Sequence, residues 1–181
     1  MASREAIRLA YRGSVPPASN LFLSINEFAR STPWLHSPAA AYTTYGILLF
    51  AALMVIGWWV ARRRSSTVMA AALLVPVATL VAFGVQQVVV QLVAEQRPYA
   101  VLPDVLVLIS RTTDPSFPSD HACLTGAAAA ALFFVDRRLG WVAAALALLM
   151  AATRVYVGAH WPLDVVAGLA LGAAVSVAVV L

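Results

Sequence analysis

Five long apolar stretches dominate the chain, at residues 43–61, 67–93, 122–135, 139–157 and 161–181, and charged or helix-breaking residues separate them. Stretches of this length predict membrane-spanning helices. The first rises about 28 Å at 1.5 Å per residue and stops at Arg62-Arg63-Arg64. The second rises about 40 Å, more than the hydrocarbon core, so it must tilt, kink near Pro76 or project into the headgroups. Gln86, Gln87 and Gln91 fall near its far end, where protein or water would receive them more cheaply than lipid. The third stretch is short, and a cap at Ser119 would bring it to the required span. Asp136-Arg137-Arg138 forms a tight turn into the fourth.

Residues 1–40 follow a different pattern. Arg4, Arg8, Arg12 and Arg30 are dispersed, and Pro16, Pro17, Pro33 and Pro38 divide the segment. Between Pro17 and Pro33, Leu21, Phe22, Ile25 and Phe28 recur at helical spacing, with Asn20, Ser24, Glu27 and Ser31 on another side. That spacing predicts a short amphipathic helix near the interface; the alternative is a helix packed on the bundle. The expected architecture is all-α: one domain over residues 1–181, with an amino-terminal interfacial segment (1–40) and a polytopic bundle (43–181) of about five transmembrane helices.

Composition strengthens this picture, because only 11% of the 181 residues are charged and 62% are hydrophobic, against about 25% charged in an ordinary soluble domain. All the positive charge is arginine and its longest run is three residues, so nucleic acid is not an expected partner and the bilayer is. Cys123 stands alone, which leaves neither an internal disulfide nor a cysteine metal cluster. Alternating passes put Arg62, Arg63, Arg64, Arg137 and Arg138 on one side against Asp136 alone, a balance of +4. The opposite loops carry Arg97, Arg111 and Arg154 against Glu95, Asp104, Asp114, Asp120 and Asp164, a balance of −2. Positive-inside bias then places the carboxyl terminus in the cytoplasm and the second set outside, although the amino-terminal region, at +2, pulls the other way.

Candidate chemistry is concentrated on that second side. Arg97-Pro98 follows the second apolar stretch, Pro118-Ser119-Asp120-His121 opens the third, and Arg154, His160 and Asp164 straddle the connection between the last two. Two arginines, two histidines, a helix amino terminus and a carboxylate suit a phosphate that is attacked and released. Arg97 and Arg154 offer planar donor forks to phosphoryl oxygens, and the Ser119 hydroxyl with the amides behind it adds donors. One histidine must attack phosphorus while the other protonates the departing oxygen. His160 is the better nucleophile, because Asp164 at i+4 would share its helix face if the fifth helix begins near residue 160, and its carboxylate could then hold the tautomer that leaves the attacking nitrogen bare.

These residues resemble the type 2 phosphatidic acid phosphatase (PAP2) family, whose signature runs from a lysine to Arg-Pro, then Pro-Ser-Gly-His, then Ser-Arg followed by His and Asp. Here Arg97-Pro98 matches the end of the first part, Pro118-Ser119-Asp120-His121 the second, and Thr153-Arg154 with His160 and Asp164 the third. The resemblance covers roughly residues 43–181 in element order. It implies that His160 is the nucleophile, Asp164 its orienting partner and His121 the general acid, with Arg97, Ser119 and Arg154 binding phosphate. It further implies a phosphohistidine intermediate with no metal and no cofactor. Three positions depart from the pattern: Val90 stands where the family lysine would, Asp120 replaces glycine, and Thr153 replaces serine.

Ala94-Glu95-Gln96-Arg97-Pro98-Tyr99, Ser116-Phe117-Pro118-Ser119-Asp120-His121 and Leu21-Phe22-Leu23-Ser24-Ile25-Asn26 resemble the bacterial undecaprenyl-diphosphatase branch. That resemblance implies an undecaprenyl or decaprenyl diphosphate as the lipid substrate, cleaved to the monophosphate on the outer face of a bacterial plasma membrane to recycle the carrier. The alternatives are a phosphatase of phosphatidic acid, phosphatidylglycerophosphate or a polyprenyl phosphosugar, and, from another class, a non-enzymatic lipid transporter or scaffold. Asp120 is a tuning candidate for His121 or the helix end, and Glu95 for a nearby imidazolium or for Arg97. Tyr99, Tyr156 and Trp161 are candidates for the mouth of a lipid groove. Gly126 with Ala127–Ala131, and Gly168 with Gly172, permit close helix approach within the chain.

Overall fold

The computed structural model describes residues 19–102 and 104–181, so Arg4, Arg8, Arg12, Pro16 and Pro17 lie outside the described residues. The elements are α1 (Ser19–Ser31), a 3₁₀ turn (Pro33–Leu35), α2 (His36–Tyr45), α3 (Ile47–Ala61), α4 (Ser66–Val93), α5 (Pro98–Val101), α6 (Asp120–Val135), α7 (Arg137–Tyr156) and α8 (Pro162–Val180). The all-α membrane bundle is as expected, but the count of five spans is not. Three stretches are long and apolar enough to cross a membrane, Ser66–Val101, Arg137–Tyr156 and Pro162–Val180, and the pair Pro33–Tyr45 and Ile47–Ala61, bent by 51°, makes a fourth if taken as one span. The stretch at 43–61 is broken at Gly46 into α2 and α3, and α3 alone has only 15 residues. The stretch at 122–135 becomes α6, 16 residues long. It is encased by α3, α4, α7 and α8, so protein rather than lipid surrounds most of it and the thickness of the hydrocarbon core does not set its length.

Caps fix where the helices begin. Ser119 caps α6 by accepting from the Ala122 amide, as the sequence predicts, and Ser65 likewise caps α4 by accepting from that of Val68. Asp136 accepts from the amides of Arg138 (2.9 Å) and Leu139 (3.2 Å) and pairs with Arg64 (2.7 Å). This ties the α3–α4 turn to the α6–α7 turn at the end remote from the candidate site. Leu132, Val135, Phe50, Leu53 and Val75 fill the core at that level. Cys123 packs with Ala82 and Ala127 as a small apolar filler.

Close approach at small residues brings α6 and α8 together. A Cβ on Gly168 would lie 2.6 Å from the Ser119 carbonyl, one on Gly126 would lie 2.7 Å from that of Leu169, and one on Gly172 would collide with the carbonyl of Cys123. The pairs Gly126 and Gly168/Gly172 thus serve packing within the chain, and they register the start of α8 against the start of α6.

The amino-terminal helix forms where the spacing predicts it, but its buried stripe is Phe22, Asn26 and Ala29, while Leu21 and Phe28 are exposed. Phe22 meets Trp161 edge-on with ring centroids 5.1 Å apart. Asn26 clasps the backbone of Leu106, donating to its carbonyl (2.9 Å) and accepting from its amide (3.1 Å). The helix is therefore packed on the bundle, the alternative the sequence left open, because a polar side chain on the buried stripe holds the long α5–α6 connection. Gly172→Leu forces a branched side chain into the Cys123 backbone and should cost about 1–3 kcal/mol. The measurement is the thermal transition in a fixed detergent, and an unchanged transition would show that α6 and α8 are not locked at this contact.

Candidate functional site

The ends of α4, α6, α7 and α8 converge with the α5–α6 connection. The chain leaves α4 through Ala94 in the left-handed region (φ 49°) and reaches Arg97, which immediately precedes the short α5. Between Arg154 and His160 the chain turns at Gly158, whose φ of 80° and contact with the Leu106 carbonyl exclude a side chain. The Ser119 amide donates to the Asp164 carbonyl (3.0 Å), the Ser116 amide to Glu95 (2.7 Å) and the Leu108 amide to Val157 (3.0 Å), so each segment is tied to another.

His160 stands at the centre and is 1% exposed. Its Nδ1 is 2.9 Å from the carbonyl oxygen of Ser116, which can only accept, so Nδ1 carries the proton and Nε2 holds a lone pair. Arg154 donates to Nε2 from 3.0 Å and Arg97 from 3.3 Å. Burial, opposed by Asp164 and aided by the two guanidinium charges, pushes the His160 pKa from 6.5 down to about 4. The imidazole is therefore neutral, with its bare nitrogen between two cations.

Asp164 is fully buried. Its Oδ2 accepts from the Trp161 amide (2.8 Å) and the Ser116 hydroxyl, and lies 3.4 Å from His160 Nδ1. The sequence expects Asp164 to hold the tautomer, but the nearer acceptor is the Ser116 carbonyl, with Asp164 gripping the same serine from the other side. Arg97 and Arg154 are each 6% exposed. Arg97 donates to the Ala159 carbonyl (3.2 Å) and to Asp114 through both its Nε (3.0 Å, carbonyl) and its Nη2 (2.5 Å, carboxylate). Partial burial alone would raise the Asp114 carboxyl, but hydrogen bonds from Thr112 and Arg97, with the Arg97 charge, hold it below its ordinary value. Arg154 Nε is buried with no hydrogen-bond partner.

Asp120 lies between the two histidines. Its Oδ1 accepts from the His121 amide (2.7 Å), is 2.9 Å from His121 Nδ1 and 3.9 Å from His160 Nε2, and is 4.0 Å from Arg154. The carboxylate that pairs with Arg97 is Asp114, where Glu95 was the candidate; Glu95 contributes its backbone carbonyl to Ser116. Trp161 is fully buried, donating to the Gln96 carbonyl (2.9 Å), so it is part of the packing and not of a groove mouth. Tyr156 bonds Thr32 and Tyr99 bonds Thr112, which ties both to loops. Gln86 is buried and donates to the Pro118 carbonyl (2.8 Å).

Beside His160, Arg97 and Asp120 lies a cleft of about 80 Å³, also lined by Gln86, Val90 and Pro118. A water molecule's share of liquid volume is about 30 Å³, so the cleft admits a small tetrahedral group and not a lipid chain. Val90, where the resemblance expects lysine, lends it no charge.

The three motifs therefore meet at one anion-sized cleft, and residues 71–181, more than half of the chain, match the PAP2 superfamily. The chain belongs to the PAP2 superfamily. It is 36% identical over 96 residues to the bacitracin transport permease protein BcrC of Bacillus licheniformis, covering 53% of this chain and 47% of that one. It is 34% identical over 101 residues to an undecaprenyl-diphosphatase of Sulfolobus acidocaldarius, covering 55% and 49%. The alignments thus span about half the length of these curated relatives. The PAP2-type phosphatidylglycerolphosphate phosphatase of Bacillus subtilis superposes with a TM-score of 0.62 at 23% identity, covering 96% of this chain and 88% of that one, which is a likeness of fold.

Ser116 and Asp114 are the PAP2-site contacts that sequence reasoning did not assign. Ser116 lies inside the quoted Ser116–His121 motif, and its proximity to Pro118-Ser119 was the available signal; Asp114 entered only as loop charge. Because His160 titrates near 6.5 when free and near 4 when folded, the unfolded chain binds the extra proton between those values. Its contribution to stability is complete above 6.5 and is lost as pH falls toward 4. Thermal unfolding in detergent should therefore show a steeper acid loss across that window for the native protein than for His160→Gln. Equal slopes would show that His160 is not held neutral.

Proposed function

We propose that this PAP2 protein hydrolyses a phosphorylated membrane lipid, and that the lipid is a polyprenyl diphosphate, undecaprenyl or decaprenyl, converted to the monophosphate and inorganic phosphate. The observation that carries the reading is the bare Nε2 of His160 between two buried guanidinium groups. A terminal phosphoryl group drawn there by Arg97 and Arg154, with donors from Ser119 and the start of α6, presents its phosphorus to that lone pair. The Nε2–P bond forms as the bridging P–O bond breaks, and His121 gives its proton to the departing lipid phosphate. Water, deprotonated by His121, then attacks the phosphohistidine, freeing phosphate and restoring Nε2. Ser116 and Asp164 steady Nδ1–H as charge changes, and Asp120, accepting from His121 Nδ1, turns Nε2–H of that ring toward the leaving group.

The polyprenyl preference rests on the motif resemblance and on the undecaprenyl-diphosphatase among the similar proteins. The size of the cleft agrees with it, since there is room for a phosphoryl group. The permease name of another relative keeps transport without hydrolysis as the rival class. Phosphate release by pure protein in excess chelator decides between them. Turnover is expected, whereas binding without release, or activity restored only by stoichiometric divalent metal, would overturn the reading.

Within that assay His160→Ala should abolish phosphoenzyme labelling. Asp164→Asn should lower kcat by at least about 100-fold, roughly 2.7 kcal/mol of transition-state stabilisation, with a smaller change in KM. Asp120→Asn and His121→Ala should both lose more rate with an alkyl phosphate than with an aryl phosphate, whose leaving group needs no proton. Undiminished labelling in His160→Ala would remove the nucleophile assignment, and near-native kcat in Asp164→Asn would make that carboxylate purely structural.

The reading also puts the cleft on the outer face of a bacterial plasma membrane, because the opposite turns hold five arginines against one aspartate. In a Cys123→Ala background, a cysteine at Asp104 should react with an impermeant reagent added to intact cells and one at Arg63 should not. The reverse pattern would place the cleft in the cytoplasm.

A further inference from the structure

At the end remote from the catalytic cleft, α7 and α8 each lie along α6 but touch one another little. Between them runs a groove of about 490 Å³, floored by Gly126, Ala130 and Phe133 and walled by Leu148, Leu169 and Ala173, with no polar residue in its lining. Its lining on α6 runs from Gly126 to Phe134, one residue short of the end of the helix. Eight residues of helix make that about 12 Å, a fitting length for part of an acyl chain.

The groove leads to unneutralised cations. Arg137, Ala144 and Leu148 stand at i, i+7 and i+11 on one stripe of α7, and the last two line the groove. Arg137 is therefore about 10 Å beyond Ala144 along the axis, with Arg138 beside it. Both are exposed. Asp136, the only acidic side chain in either turn at this end, already accepts from two amides and pairs with Arg64. Trp141 meets Phe133 edge-on (5.1 Å) beside this mouth, an aromatic suited to headgroup level.

We infer that the α6–α7–α8 groove is a binding site for an anionic phospholipid of the adjoining leaflet, one acyl chain lying in the groove and the phosphate held by Arg137 and Arg138. The apolar lining accepts any chain; the arginine pair selects the charged headgroup. Arg62 is stacked over Trp58 and Trp59 and belongs to the other turn, so the site differs from a general basic surface in needing two particular arginines.

The test uses the full chain reconstituted in nanodiscs of equimolar phosphatidylglycerol and phosphatidylcholine with identical chains, released into native mass spectrometry. Phosphatidylglycerol should be retained about tenfold over phosphatidylcholine. Arg137→Gln with Arg138→Gln should bring the ratio to about one, while Arg62→Gln with Arg63→Gln should leave it within about twofold. Ala173→Phe should reduce retention of both lipids, and Ala144→Leu, a smaller filler, repeats the test should the first variant fold poorly. Equal retention of the two lipids, or equal loss from either arginine pair, would overturn the site. So would groove-filling variants that raise KM for the lipid substrate and leave phosphatidylglycerol retention unchanged, since the groove would then belong to the substrate tail.

Discussion

The structure depends on a buried carboxylate. Asp164 has no solvent exposure, and a charge removed from water survives only where fixed donors replace its hydration. Its Oδ2 receives the Trp161 amide, at the first turn of α8, and the hydroxyl of Ser116, far away in sequence on the α5–α6 connection. Meeting that requirement closes the connection over α8, and the closure sets the Ser116 carbonyl against His160. The polar geometry of the cleft thus follows from the need to satisfy one oxygen of this carboxylate, its Oδ1 being buried with no hydrogen-bond partner among the described residues.

Such a clamp needs a backbone that cannot drift, and small residues provide it. The close approach of α6 and α8 at Gly126, Gly168 and Gly172 leaves no slack for one helix to slide along the other. It joins Ser119, at the start of one helix, to Asp164, at the start of the next, through the amide-to-carbonyl bond between them. An ordinary alanine-rich bundle would hold its helices by area alone; here the contact is backbone on backbone, and the functional ends inherit its precision.

Much of this was legible in the sequence. Arg97, Ser119, His121, Arg154, His160 and Asp164 stood out because polar residues are scarce in an apolar chain, and the alternation of stretches assigned them to one end. The start of α6 was readable because its cap, Ser119, announced it, whereas the caps at Ser65 and Asp136 emerged from the structure. What escaped was whatever depends on enclosure. The third apolar stretch read as a span because hydrophobicity does not tell lipid from protein, and α6 is wrapped by protein. Ser116 acts largely through its backbone carbonyl, which no residue type advertises, and Asp114 pairs across 17 positions of irregular chain. Asn26 belonged to neither the apolar nor the polar positions picked out on the amphipathic helix, yet its amide matches a backbone pair on the loop.

The absence of lysine ties these features together. A buried ammonium gives up its proton readily, whereas guanidinium stays charged, so a chain that places cations beside an imidazole in a low-dielectric cleft gains by using arginine alone. Arg97 and Arg154 cannot pass a proton to His160, and their fixed charge opposes its taking one from elsewhere, which is part of why that histidine titrates near 4. The Nδ1 proton is meanwhile committed to Ser116. Nε2 is left as an unprotonated lone pair facing the charges that would draw in a phosphoryl group. In the proposed reaction the same two side chains would therefore hold the nucleophile bare and bring its target to it, and one substitution at either should weaken both effects together.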